Sequence, residues 1–490
     1  MVGTWTLGEV GSARDTARET ARAITPRLEL EGRLIAVSNR VARPSATTSP
    51  GGLAQALGDA LHVRGGTWIG WSGNLVADAA SAEFDLLAEG EIVYGLLDLP
   101  AEDFQGFYEG YANGVLWPVF HGRPDLSVHE AGDYAAYQAV NRAFADAIAR
   151  VAGRDDTIWV HDYHFLPLGG LLRERGIPSC VGLFLHIPFP HTGVFRTIPE
   201  AEAIARAMMG YDTIGVQTTR DARNLAETLA AMGEGTLLRR GEGYEVFVFG
   251  EHVRIMPLPI GIDVAGLRDV VSAPPPAAVS SFCRTLGGRR SLIGIDRLDY
   301  SKGLPQKLQG FYRYLQTDPR RADKVVMTQI APISRGTVPA YEKTRREVEA
   351  IAGGIAGEFT SLTHNPLNFL TRAVDRATVA HLMARADVGL VTPIADGMNL
   401  VAKEFVAVQD PADPGVLILS EFAGAAEAMT SALLVNPHDI EAVAAAIETA
   451  LAMPREQRRE RHFSLMEVIH DTDISRWTER CLTELATAAD

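Results

Sequence analysis

Cysteine is scarce in this chain. Cys180, Cys283 and Cys481 are the only three among 490 residues, odd in number and far apart. Their spacing matches no metal-ligand pattern and offers no disulfide framework, so isolated reduced thiols and a cytoplasmic setting are expected. No apolar run is long enough to span a bilayer, and the charged N-terminus lacks the apolar core of a signal peptide. Basic residues are also in short supply: 46 Lys and Arg against 61 Asp and Glu give a formal charge of −15. A phosphate backbone needs a basic surface, so this balance argues against nucleic-acid binding. It leaves room for one local basic pocket that takes a small phosphorylated ligand.

What is present is an ordinary globular composition, 47% hydrophobic, in a chain too long for one core and suited to two or three domains. Residues 1–32 are rich in Ala, Arg, Thr and Glu and look like an extension outside the core. Strands are expected at Arg33–Val37, Thr157–Val160, Val181–Leu185 and Thr213–Val216, with helical patterns between them at Tyr134–Val151 and Ala201–Met209. The Pro- and Ala-rich stretch from Val270 to Ser281 is the best linker candidate. The pattern then restarts with strands at Ser291–Ile295, Lys324–Ile330, Val388–Val391 and Val416–Leu419. Strands alternating with helices make parallel sheets covered on both faces. Two such units imply an α/β protein with two doubly wound, Rossmann-like domains facing a central cleft, where ligands sit beyond the strand C-termini.

The unusual residue clusters fall just after those strands. Asp396-Gly-Met-Asn-Leu-Val-Ala-Lys-Glu404 follows an apolar strand, and a helix is expected to begin near Met398. The free amides and positive dipole end of a helix start attract anions. Asp396 and Glu404 bracket that start, a combination suited to a ligand that is phosphate at one end and polyhydroxylated at the other. Arg297 and Lys302, in Asp296-Arg-Leu-Asp-Tyr-Ser-Lys-Gly303, are cations able to neutralise a departing diphosphate. The alternative is a solvated pair bridged to Asp296 or Asp299. Arg335, framed by Pro332 and Gly336, and Arg40, after the first strand, could close on one anion from opposite domains. Gly51-Gly52 precedes a helix and could bring backbone amides close to a ligand, or be simply a turn. It lacks both the Gly-x-Gly-x-x-Gly spacing of a dinucleotide fold and the lysine of a P-loop.

His161-Asp162-Tyr-His164 admits a metal reading, but even with His186 the ligand set stays incomplete, so no metal is expected. Asp162 and His186 fit better as partners of sugar hydroxyls, with His161 and His164 as packed residues buttressing the turn. Tyr108 and Trp117 could present flat faces to a sugar or be core aromatics.

Together these segments resemble the trehalose-6-phosphate synthase family, glycosyltransferase family 20, whose members are retaining enzymes of the GT-B arrangement. The ordered matches are Val37-Ser-Asn-Arg40, Trp68-Ile-Gly-Trp-Ser-Gly73, Leu116-Trp-Pro118, Trp159-Val-His-Asp-Tyr-His164, Leu185-His-Ile-Pro-Phe-Pro190, Asp296 to Gly303 and Asp396 to Glu404. The resemblance runs from about Arg33 to the C-terminal region. It implies an acceptor domain over 33–270, a nucleotide-sugar domain over 271–465, and a terminal helix in 466–490 packing back on the first domain. It also implies transfer of glucose from a nucleoside diphosphate glucose, UDP-glucose first, to glucose 6-phosphate, without a cofactor.

By position, Arg40, Tyr108, Trp117 and Arg335 would hold the acceptor, and Arg297 and Lys302 the donor diphosphate. Gly51, Gly52, Asp162 and His186 would lie around the donor glucose and reaction centre, with Asp396 on its hydroxyls. Asn399, Leu400 and Val401 would meet the diphosphate through helix-start amides, Glu404 would hold the ribose, and Val374 would touch the base through its backbone. The family's chemistry implies no covalent sugar–enzyme intermediate, so positioning and charge stabilisation carry the burden. Asp162, His186, Arg297, Lys302 and Asp396 are the residues expected at the reacting centre.

Two other functions share many of these features. A phosphorylated acceptor such as glycerol 3-phosphate would satisfy the same arginines, and a non-catalytic sugar-phosphate sensor would keep the fold. The base preference and homo-oligomerisation are left open by the pattern.

Overall fold

The structure is a computed structural model and describes residues 32–41, 57–58, 61, 65–333 and 339–487. Gly51, Gly52 and Arg335 lie outside the described residues. In the first half, ten strands form one sheet: β1 (Leu34–Arg40), β2 (Gly66–Val76), β3 (Phe84–Glu89), β4 (Ile92–Pro100), β5 (Thr157–His161), β6 (Cys180–Phe184), β7 (Thr213–Val216), β8 (Thr236–Arg240), β9 (Gly243–Val248) and β10 (Glu251–Pro257). Their order is β3-β4-β2-β1-β5-β6-β7-β10-β9-β8. The inner run from β4 to β10 is parallel. Its central strands are almost wholly buried, because helices cover both faces: every residue of β5 and β7 is buried, and all but the first of β6. Antiparallel strands close both edges, β3 on β4 and β8–β9 on β10. These hairpins were not expected, since their half-exposed residues carry no continuous apolar run.

The second half holds a six-stranded, fully parallel sheet: β11 (Arg290–Ile295), β12 (Val325–Ile330), β13 (Leu367–Leu370), β14 (Val388–Val391), β15 (Val416–Ser420) and β16 (Leu433–Val435). The order β13-β12-β11-β14-β15-β16 means the chain builds outward from β11, then jumps back beside it at β14. That reversal opens a crevice beyond the ends of β11 and β14. In the first sheet the same reversal lies between β1 and β5.

The crossing between halves lies upstream of the Pro-rich stretch. The first sheet ends at Pro257, and the helix Val264–Ser272 already packs on the second half's helices Arg376–Met383 and Leu400–Ala407. Pro274 to Pro276 merely join it to the helix Ala277–Leu286, which also meets the Arg376–Met383 helix. Proline marks a chain break, and here the break is local rather than between domains. The return crossing is the break at Thr472, after which the helix Ile474–Ala486 lies against β6 and β7. Trp477 Nε1 donates to the Leu258 carbonyl at 3.1 Å, and Arg254 pairs with Glu484 at 2.6 Å.

Lys403, on the helix Leu400–Ala407, reaches both crossings: its Nζ is 2.6 Å from the Ile260 carbonyl and 3.4 Å from Thr472 Oγ1. Burial pushes this ammonium down to about 7. Among the described residues no helix is long and apolar enough to cross a membrane.

Candidate active site

The second half supplies a charged cluster at its crevice. Beyond β11 the chain turns at Asp299, whose carboxylate accepts from Ser301 N at 3.0 Å and Ser301 Oγ at 2.9 Å. Gly303, at φ +62°, then redirects it into the helix Leu304–Thr317; a Cβ there would lie 2.3 Å from the Thr392 carbonyl. This turn delivers Lys302 to Asp396, beyond β14, with Nζ 2.5 Å from Oδ2. Asn399 Nδ2 donates to the same Oδ2 at 3.0 Å. Burial pushes the Asp396 carboxyl up, but the Lys302 ammonium and the Asn399 amide outweigh it and hold the group below the usual range.

Asn399 sits in the left-handed region (φ 72°) and caps the next helix, accepting from Ala402 N at 3.2 Å. The helix therefore begins at Leu400, two residues after the expected Met398, because Met398 is buried and Asn399 turns the chain. That cap leaves the amides of Leu400 and Val401 outside its bond. Glu404 lies one turn further in, its carboxyl raised by burial and partly lowered by Arg376. Arg376 follows the loop carrying Val374, which is half-buried beyond β13.

The first half supplies rings and a strained turn. Arg40, at the end of β1, lies over Trp71 at 5.3 Å. From Trp71 a ladder of rings runs through Phe104 at 4.4 Å and Tyr108 at 5.3 Å to His164, stacked 5.7 Å from Tyr108 at 8°. Tyr108 belongs to a π-type helical stretch, Gln105–Leu116, an unusual geometry that recurs at functional sites. The stretch ends at Trp117. Beyond β5, Asp162 takes φ 78° and ψ 171°, a region normally left to glycine. Its backbone amide donates to the Phe184 carbonyl at 2.7 Å, and its carboxylate accepts from His186 N at 3.3 Å.

The halves meet at these residues. The Arg297 guanidinium lies 5.3 Å over the Trp117 ring, with the Asp299 carboxylate 3.8 Å away. Gly397 packs so tightly on His186 that a Cβ would lie 2.1 Å from the His186 carbonyl oxygen. Glu427 of the second half accepts from Thr219 N at 3.0 Å and from its hydroxyl. Trp117, Asp162, His186, Arg297, Lys302, Asp396, Asn399, Leu400 and Val401 thus gather where the strand ends of the two sheets face each other. Arg40 and Tyr108 lie along the ring ladder of the first half.

Two histidines of this region were not singled out as site residues from sequence. The His121 ring lies 4.1 Å from that of Trp117, tilted by 32°, and its Nδ1 is 2.7 Å from the Trp117 carbonyl. Burial lowers it to about 4, with Asp299, Lys302 and Asp396 near enough to act on it. The signal was available: His121 is one helical turn after Trp117. His161 lies 3.2 Å from His186. Among the described residues no group of His, Cys, Asp or Glu could hold a metal ion.

Such a constellation can bind a diphosphate beside a sugar: two cations, helix-start amides, a polarised carboxylate and aromatic faces. Comparisons with known proteins point the same way. The sequence model of glycosyltransferase family 20 matches residues 27–487. The chain is 42% identical to the trehalose-6-phosphate synthase of Sinorhizobium fredii over 94% of its own length and 99% of that protein. It is 40% identical to that of Enterobacter sp. over 93% and 95%. Among solved structures, an E. coli protein bound with UDP-2-fluoro glucose superposes with a TM-score of 0.88 at 38% identity, covering 93% of this chain and 99% of that one. An alpha,alpha-trehalose-phosphate synthase (UDP-forming) from Burkholderia xenovorans in complex with glucose-6-phosphate gives 0.88 at 37%, covering 93% and 100%.

Proposed function

The chain belongs to glycosyltransferase family 20, and from that premise we propose that it moves glucose from UDP-glucose to glucose 6-phosphate, releasing UDP and trehalose 6-phosphate. The observation that carries this reading is the junction at the cleft: Lys302, Asp396 and Asn399 bonded together on one side, with Arg297 of that side lying over Trp117 of the other. Relatives solved with UDP-2-fluoro glucose and with glucose-6-phosphate support the two substrate classes.

In this reading Arg297, Lys302 and the amides of Asn399, Leu400 and Val401 receive the diphosphate, and Glu404 and the Val374 backbone hold the nucleoside. Asp396, Asp162 and His186 surround the donor glucose, with Gly51 and Gly52 adding backbone amides. Arg40, Tyr108, Trp117 and Arg335 hold the acceptor. The C1–phosphate oxygen bond breaks and the acceptor's anomeric oxygen bonds to C1 from the same face. The hydroxyl proton passes to an oxygen of the leaving phosphate, so stereochemistry is retained and no side chain need act as nucleophile. Positive charge placed in advance around the leaving group lowers the barrier, and contact between the halves excludes the water that would hydrolyse the donor.

Acceptor handling falls to the first unit and the nucleoside diphosphate to the second, with the donor glucose between them. Three thiols outside any disulfide suit a cytoplasmic location, which fractionation of the source cells checks. The decisive assay incubates the protein with glucose 6-phosphate and UDP-, GDP- or ADP-glucose in turn. Trehalose 6-phosphate is expected, most rapidly with UDP-glucose; its absence with all three donors overturns the proposal.

A further inference from the structure

His161 is the last residue of β5 and is almost wholly buried, 1% exposed. Its ring lies 4.4 Å from that of Trp159 and is stacked 5.5 Å from that of His186. Its Nδ1 is 3.2 Å from His186 Nε2, and its own Nε2 has neither a hydrogen-bond partner nor solvent. Burial lowers both imidazoles, His186 to about 3 and His161 well below its usual value, so both are neutral near pH 7.

Two neutral imidazoles in contact share one proton in the gap, and its owner decides every other nitrogen. If His186 Nε2 carried it, the His161 proton would sit on Nε2 as a buried donor with nothing to accept it. If His161 Nδ1 carries it, His161 Nε2 is only a buried lone pair. Orphaned N–H groups are the rarer fault in folded proteins. The second arrangement therefore prevails, and it has a consequence for His186: with Nε2 occupied as acceptor, its remaining proton must be on Nδ1.

We propose that His161 is a positioning residue for glycosyl transfer: its Nδ1–H donates to His186 Nε2, orienting that ring and presenting His186 Nδ1–H as a neutral donor to an oxygen of the transferred sugar. This rests on the reading of His186 as a contact to the donor glucose. A neutral donor suits that place, because Arg297 and Lys302 already concentrate positive charge at the diphosphate.

The test is nitrogen NMR on the full chain labelled with 15N-histidine, the His186 signals being assigned by their loss in His186→Gln. At pH 7 His186 is expected to show a protonated Nδ1 and a bare Nε2, both moving when UDP-glucose is added. The reverse protonation overturns this proposal and leaves the function of the site untouched. The expected tautomer unmoved by UDP-glucose overturns the reading of His186 as a sugar contact, and the proposal with it.

Kinetics give a second measure. His161→Phe removes the donor and is expected to lower kcat about tenfold, the worth of one hydrogen bond, with the KM for glucose 6-phosphate unchanged. His161→Gln offers an amide N–H in its place and should recover most of that loss. Equal loss in both variants overturns the positioning role.

Discussion

The two halves of the cleft prepare for phosphate in different ways. In the second half the cation is already engaged: Lys302 is bonded to Asp396, which also takes Asn399. In the first half Arg40 is exposed and braced by the face of Trp71. The Lys302 side chain is only 14% exposed, and a largely desolvated ammonium that is to stay charged gains from a resident carboxylate before any ligand arrives. An exposed guanidinium stays hydrated and needs only a rigid wall to limit its rotamers. Under the proposed reaction this suits the two ligands. The diphosphate must be met by charge set in place before bond cleavage, whereas the acceptor phosphate only has to be caught and oriented.

Removing the resident carboxylate should separate the halves most sharply. Asp396→Asn keeps the shape but leaves Lys302 without a counter-charge, and kcat/KM for UDP-glucose is expected to fall about a thousandfold, read by UDP release. Arg297→Ala should lower kcat by about a hundredfold while the melting temperature stays nearly unchanged, since the side chain is half-exposed. A large loss of thermal stability in that variant would mean Arg297 is a structural brace for Trp117 instead. Arg40→Ala should raise the KM for glucose 6-phosphate by about tenfold, the worth of one exposed charged contact, and leave that for UDP-glucose alone. An equal change in both would erase the division between the halves.

The smallest expected effect is a pH dependence that belongs mainly to the first half. His186 and His121 titrate near 3 and 4 in the folded chain against about 6.5 when unfolded. Between those values the unfolded state binds more protons, so their contribution to stability is complete above about pH 6.5 and is lost as pH falls towards 4 and below. Calorimetry from pH 7.5 to 4.5 should show the melting temperature dropping, and less steeply in His121→Gln.

Much of this was legible in the chain. Thr213–Val216 and Val388–Val391 are strands with the bounds their apolar runs imply, because a strand buried on both faces has no polar face to confuse the pattern. The clusters Asp296–Gly303 and Asp396–Glu404 could be placed just beyond strand ends, and so marked as candidates, for the same topological reason. The edge hairpins β8 and β9 were not, since an exposed strand has little apolar signal. The Pro-rich stretch drew attention to 270–281, while the crossing at 258–263 carries only Pro259 and Gly261 among largely apolar residues and Thr472 has no proline or glycine beside it. Their hydrogen bond, Ile474 N to the Ile262 carbonyl at 3.3 Å, joins residues too far apart in the chain for any local pattern to reveal.

Composition and order were enough to establish two parallel α/β units, little basic surface and a set of residue types suited to a nucleotide sugar, because burial periodicity and turn chemistry are local properties. Which of those residues share a proton, a charge or a face was settled by folding alone. Lys302 and Asp396 are 94 residues apart, and the imidazoles of His161 and His186 come into contact only when β5 and β6 pair. Electrostatic and hydrogen-bond energies depend on distance in space, and the chain acquires those distances only when its two sheets close on each other.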